Sequence, residues 1–176
     1  MRWLLAPVLA ALAVQAAGQP IHYKSEWELQ QERERRDWQE GDVKFPAYPK
    51  ADSLIEIFVS SASSFRFFVD SASLSLESDG ALRYTLVARS SSGAQTVSFE
   101  GIRCGRPGFY RVYGFGSGGT WSKSTLTEWR PIEPKNVQRW HNELHNSYFC
   151  PQGASIHTAA EALDALRRGG HPATTR

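Results

Sequence analysis

The sequence predicts an α+β domain: an antiparallel β-meander with C-terminal helices packed on one face. Three observations carry this. From Ser53 to Phe115 apolar and polar residues alternate with period two, the signature of half-buried strands. Short turn sequences, Asp79-Gly80 and Ser92-Gly93, separate these runs, and short turns join antiparallel neighbours. Beyond Asn136 the apolar spacing lengthens to that of a helix. Strands first and helices later make an α+β arrangement rather than alternating βαβ units.

The chain has 176 residues, 41% hydrophobic and 22% charged, which is globular material and enough for one domain. Residues 1–18 have the pattern of a secretory signal peptide. Met1-Arg2 is the positive start, Trp3 to Val14 the uncharged apolar run, and Ala16, Ala17 and Gly18 the small residues at which a peptidase cuts. The run is shorter than the ~20 residues of a spanning helix, so a cleaved leader is preferred to a membrane anchor, and no membrane-spanning segment is expected after cleavage. This places the chain in the periplasm or outside the cell. The formal charge is +2, and loss of Arg2 lowers it by one. Such balance argues against a dedicated nucleic-acid binder and against electrostatic attachment to anionic lipid.

Residues 19–50 are expected to hold an N-terminal helix and a proline-rich linker. Glu26 to Gln39 is charged and helix-prone, with Trp27 and Trp38 on one face near its ends. Phe45-Pro46-Ala47-Tyr48-Pro49 then stops the helix and crosses, extended, into the sheet domain of residues 51–170. On the strands, Ile55, Ile57 and Val59 share a face, as do Phe65, Phe67 and Val69. Leu82, Tyr84, Leu86 and Ala88 alternate with Arg83, Thr85 and Arg89. Val97 and Phe99 have opposite parity to Ile102 and Cys104, so a bulge is expected at Gly101 to return the latter pair to the core face. Tyr110 to Phe115 reads as a last strand, and Gly116 to Gly119 as a flexible turn before Trp121. Asn136 caps a helix whose stripe is Val137, Trp140, Leu144 and Tyr148. Thr158-Ala159-Ala160-Glu161 opens a second helix, which Gly169-Gly170 ends; residues 171–176 are expected to be a flexible tail.

Cys104 and Cys150 are the only cysteines. Export favours a structural disulfide between them over a redox or nucleophilic thiol, since neither lies in a C-x-x-C arrangement. His141 and His145, four apart on a helix, have metal-ligand spacing, and His157 is the nearest further histidine. Glu143 is not in the H-E-x-x-H position, however, and packing at the core edge explains His141 better. No serine sits in a G-x-S-x-G elbow, and the glycine run Gly114 to Gly119 lacks the Lys-Ser/Thr of a phosphate loop. No catalytic residue and no cofactor is therefore assigned. Arg103, Tyr110, Tyr113, Trp121 and Trp129, beside Glu100, form the candidate ligand-binding edge, suited to a glycan or an envelope protein.

Several stretches carry a family resemblance: Asp37-Trp38-Gln39-Glu40, Pro46-Ala47-Tyr48-Pro49, Arg66 to Ser75, Asp79-Gly80 with Arg83 to Val87, Ser92-Gly93-Ala94, Phe99 to Cys104, and Tyr148-Phe149-Cys150-Pro151. In this order, over Asp37 to His171, they resemble the cryptic neisserial protein (CNP-like) family. The resemblance implies a small exported protein of Gram-negative bacteria with no assigned activity. Cys104 and Cys150 match the two cysteine motifs of that family, and His145 matches a histidine of unknown role before Phe-Cys-Pro. The expected function is a non-enzymatic binding or cell-envelope accessory module, with a metal-dependent hydrolase using His141 and His145 as the alternative.

Overall fold

A computed structural model describes residues 24–26, 28, 29, 33, 37–134 and 139–174. The chain divides into two compact units, residues 1–38 and 39–176. In the first, Glu26, Glu28, Leu29, Arg33 and Asp37 are helical. Ser25 caps this stretch: its hydroxyl accepts from the Glu28 amide at 3.3 Å, while the Glu28 carboxylate accepts from the Ser25 amide at 2.7 Å. Trp27 lies outside the described residues, so the pairing of Trp27 with Trp38 on one face does too.

The second unit is built on a seven-stranded antiparallel sheet. Its strands are β1 (Leu54–Ile57), β2 (Phe65–Leu76), β3 (Leu82–Ser90), β4 (Gln95–Arg103), β5 (Phe109–Ser117), β6 (Thr120–Lys123) and β7 (Arg130–Pro131). They follow chain order from β1 to β6, with β7 also paired on β5, as a meander requires. The expected turns supply the hairpins. Gly80 (φ 75°) and Gly93 (φ 86°) each close a tight loop, with Gly80 donating to the Glu77 carbonyl and Gly93 to that of Ser90.

The helices are α1 (Arg139–Glu143), continued by a π-helical segment (Leu144–Phe149), and α2 (Ala159–Arg168). Asn136 and Val137 lie outside the described residues. Leu144, Tyr148, Ala162 and Leu166 join Ile57, Phe67, Val69, Leu82, Tyr84, Leu86 and Ile102 in the main core. Thr158 caps α2 as expected, its hydroxyl accepting from the Glu161 amide at 3.1 Å, and Gly169 ends it in the left-handed conformation. His171 is tied back at the start of the segment expected to be a tail: its amide donates to the Ser147 carbonyl at 2.7 Å and its ring meets Glu161 at 3.0 Å.

Cys104 and Cys150 form the disulfide, joining the end of β4 to the end of the π-helical segment, with Cα atoms 5.4 Å apart. The bridge spans 46 positions, for which the chain-entropy model gives about 4 kcal/mol.

Two expectations are corrected. No bulge interrupts β3 against β4: the pairs run regularly from Leu82–Ile102 through Arg83–Gly101 to Arg89–Gln95. The parity change arises because Val97 and Phe99 belong to the sheet's second face, where they pack on their own partners. The register shift nearest Gly101 falls instead between β4 and β5, from Phe99–Gly114 to Glu100–Val112, making Tyr113 the extra residue. Two polar positions of β3 are not solvated: Arg83 is 2% exposed and Thr85 0%. Both faces of the sheet are covered, one by helices and the other by the segment after Gln39.

The covering segment explains the glycines of β5, whose strand runs to Ser117, so that the turn is only Gly118-Gly119. A Cβ at Gly114 would lie 2.6 Å from the Phe45 ring, and one at Gly116 2.7 Å from the Tyr48 ring. Alternate glycines on one face thus form a trough into which the proline-flanked aromatics fit.

Candidate functional site

Two polar networks and a groove stand out: one network lies on the helix face of the sheet, the other network and the groove on the second face. On the helix face, β3 and β4 place Tyr84 opposite Glu100, and α1 lowers His141 onto the pair. Glu100 Oε2 lies 2.9 Å from His141 Nε2 and accepts from the Tyr84 hydroxyl at 3.1 Å; Oε1 accepts from Ser98 at 2.6 Å. The His141 ring stacks on Tyr110 with centroids 3.7 Å apart. Glu100 and His141 are 2% and 1% exposed. Burial pushes the Glu100 pKa up, but the charge of His141 and the bonds from His141, Ser98 and Tyr84 outweigh it and hold the carboxyl below its ordinary value. Burial and the Glu100 charge push the Tyr84 phenol well up. The cluster is sealed from solvent, so its physical role is to fix α1 and the π-helical segment on the sheet.

His145 does not join it. Its Nδ1 lies 2.8 Å from Asn146 Oδ1 and its ring packs against Gly108, while burial holds its pKa below the usual value. The two histidines thus take separate polar partners, and among the described residues no group of three or more His, Cys, Asp or Glu could hold a metal ion.

On the second face, Arg83 Nη2 donates to Asp79 Oδ2 at 2.7 Å, and Asp79 also accepts from the amides of Gly41 (2.8 Å) and Ala81 (2.9 Å). Glu40 accepts from the Tyr113 hydroxyl at 2.7 Å and from Arg111. Burial raises the Asp79 pKa, but the two amides and Arg83 outweigh it and keep the carboxyl low. This network ties the start of the covering segment to the sheet, and Gly101 leaves room for it, since a Cβ there would lie 2.7 Å from the Tyr113 hydroxyl. Strand alternation hid Arg83 as a surface residue; the Asp-Gly turn four residues earlier was the available signal, because a turn aspartate can reach a strand arginine.

The residues of the expected ligand edge are divided. Tyr110 is on the helix face with His141. Tyr113 and Trp129 meet edge to face at 6.3 Å on the second face, with Arg103 over the Trp129 ring at 5.8 Å. Trp121 stacks on Phe45 at 5.6 Å and donates to the Pro46 carbonyl at 2.9 Å, so it pins the covering segment.

A groove of about 390 Å³ opens farther along the second face, between the Tyr48–Ala51 loop and the β5–β6 turn. Leu54, Val87 and Val97 lie along its floor and Tyr48 on its wall, with Lys50, Arg89 and Gln95 as polar lining. Among the described residues, Arg89 reaches the Gln95 amide oxygen, at 3.4 Å, and the face of the Phe68 ring at 4.9 Å. Its Nε is buried with no hydrogen-bond partner among the described residues, an arrangement that ordinarily costs about 1–3 kcal/mol.

The model of the CNP1-like family matches residues 33–167. The chain is 30% identical over 120 residues to cryptic neisserial protein 1 of Neisseria gonorrhoeae (strain ATCC 700825 / FA 1090), covering 60% of this chain and 59% of that protein. The chain thus matches about three fifths of that relative's length. No solved structure matches. The matched region runs from before the covering segment to the last turn of α2, and the chain belongs to the CNP1-like family.

Proposed function

We propose that this protein acts after export, in the periplasm or outside the cell, as a non-catalytic binding or cell-envelope accessory module. The observation that supports this most is where the Glu100–His141 cluster lies. Glu100, His141, Tyr84 and Ser98 are engaged with one another inside the core, at exposures a substrate cannot reach. An open groove with cationic lining faces solvent. The disulfide accords with an oxidising compartment. No helix among the described residues is long and apolar enough to cross a membrane. A metal-assisted hydrolase is less well supported, since His141 Nε2 already faces Glu100 in the sealed cluster.

Expression of the full chain in a Gram-negative host followed by fractionation tests this reading. The expected product is released by osmotic shock, has lost residues 1–18, and resists thiol alkylation until reduced. Retention in the cytoplasm with both cysteines open to alkylation would overturn it.

A further inference from the structure

The groove between the Tyr48–Ala51 loop and the β5–β6 turn contains an unbalanced arrangement of charge. Lys50 and Arg89 both line it, and no acidic side chain does. Neither cation makes an ion pair with a carboxylate among the described residues, although Arg66, the cross-strand neighbour of Arg89, is paired with Glu56. The Arg89 Nε–H is buried and has no hydrogen-bond partner among the described residues, while the residue as a whole is only partly buried where it lines the groove. A guanidinium satisfies a carboxylate or phosphate oxygen better than any neutral group, through short charge-assisted bonds. Beside the cations, Val87, Val97 and Gly116 are cross-strand neighbours in one row of the sheet, with Leu54 and the Tyr48 ring adjoining. The lining therefore has two chemistries side by side, a cationic end and an apolar floor, at a volume near the lower end of small-ligand sites.

We infer that this groove binds a small organic anion, its oxyanion between Lys50 and Arg89 and its apolar portion on Leu54, Val87, Val97 and the Tyr48 ring. This deepens the binding-module reading, by naming a ligand class, and rests on it. The shared chemistry is an anionic group of two or more equivalent oxygens on an apolar body, which a carboxylate, such as a peptide chain end, or a phosphate ester could each provide.

N-acetyl-leucine, its uncharged amide and inorganic phosphate are suitable probes, titrated into isotope-labelled mature protein by NMR. The expected result is saturable movement of the Arg89 Nε–H and the Gly116 and Gly118 amide signals with the acid, and none with the amide. Arg89→Gln is expected to weaken binding about tenfold or more, as loss of a charged hydrogen bond does. Lys50→Gln, at an exposed position that leaves the fold intact, is expected to weaken it several-fold. Equal movement with acid and amide, unchanged affinity in Lys50→Gln and Arg89→Gln, or no movement with either acid or phosphate would overturn the inference. Competition by phosphate at concentrations similar to the acid would support the oxyanion site and assign it to phosphate esters; binding of the acid without such competition would support it and assign carboxylates. Fractionation and alkylation read export independently, so a failed titration with a correctly exported, oxidised protein would remove the ligand class and leave the location standing.

Discussion

A carboxylate as deep as Glu100 is tolerable only because every side around it supplies a donor. His141, Tyr84 and Ser98 converge on its two oxygens, and breaking such a buried set by removing one charge ordinarily costs about 3–5 kcal/mol. Glu100→Gln is therefore expected to destabilise the protein by about 3 kcal/mol near neutral pH. The pH dependence has a definite sign. The folded-state pKa lies below the ordinary 4.5, so between the two values the unfolded chain takes up a proton that the folded one does not. Stability from ionised Glu100 is fully present above that ordinary value and is lost as the pH falls through the folded one. Urea midpoints of wild type and Glu100→Gln should therefore approach each other as acid is added below the ordinary value. A gap of constant size would show that Glu100 is not ionised in the fold.

Among elements, the covering segment is the one that alternation within the strands does not announce. It holds on by insertion and by charge. Phe45 and Tyr48 enter a trough left by Gly114 and Gly116, Trp121 donates to Pro46, and Asp79 and Arg111 hold Gly41 and Glu40. Gly116→Ala would push a methyl into the Tyr48 ring and is expected to cost about 1–3 kcal/mol, the usual range for overpacking. If the ring is the cause, Tyr48→Ala should relieve it. The double variant then loses clearly less than the sum of the singles in chemical denaturation. Additive losses would place the strain elsewhere, against Val97, the other side chain within 3.2 Å of that Cβ.

For the whole molecule, the disulfide joins the sheet to the helical layer at one corner, while the main core joins them across its breadth. Replacing both cysteines by alanine is expected to cost about 2–5 kcal/mol, with the native fold retained at low temperature because the shared apolar core remains. Thermal unfolding of the double variant beside oxidised and reduced wild type checks this. Reduced wild type should match the variant; a reduced protein as stable as the oxidised one would show that the bridge does not constrain the unfolded chain.

Much of this was legible in the sequence, because local rules govern it. Period-two alternation marked the strands, Asp79-Gly80 and Ser92-Gly93 the hairpins, Leu144 and Tyr148 the buried stripe, Thr158 the cap, and the two cysteines their bridge. Alternation assigns side chains to opposite faces of a strand but carries no information about what lies over each face. Arg83 therefore reads as solvated when Glu40, far earlier in the chain, and Tyr113 cover it. Tyr110 and Tyr113, neighbours in the candidate edge, are an odd number of residues apart on one strand, so alternation itself sends them to opposite faces. The groove shares that origin: Lys50, Arg89 and Gly116 become neighbours only when the covering segment lies across the sheet, and that juxtaposition is a property of long-range packing, which no local pattern contains.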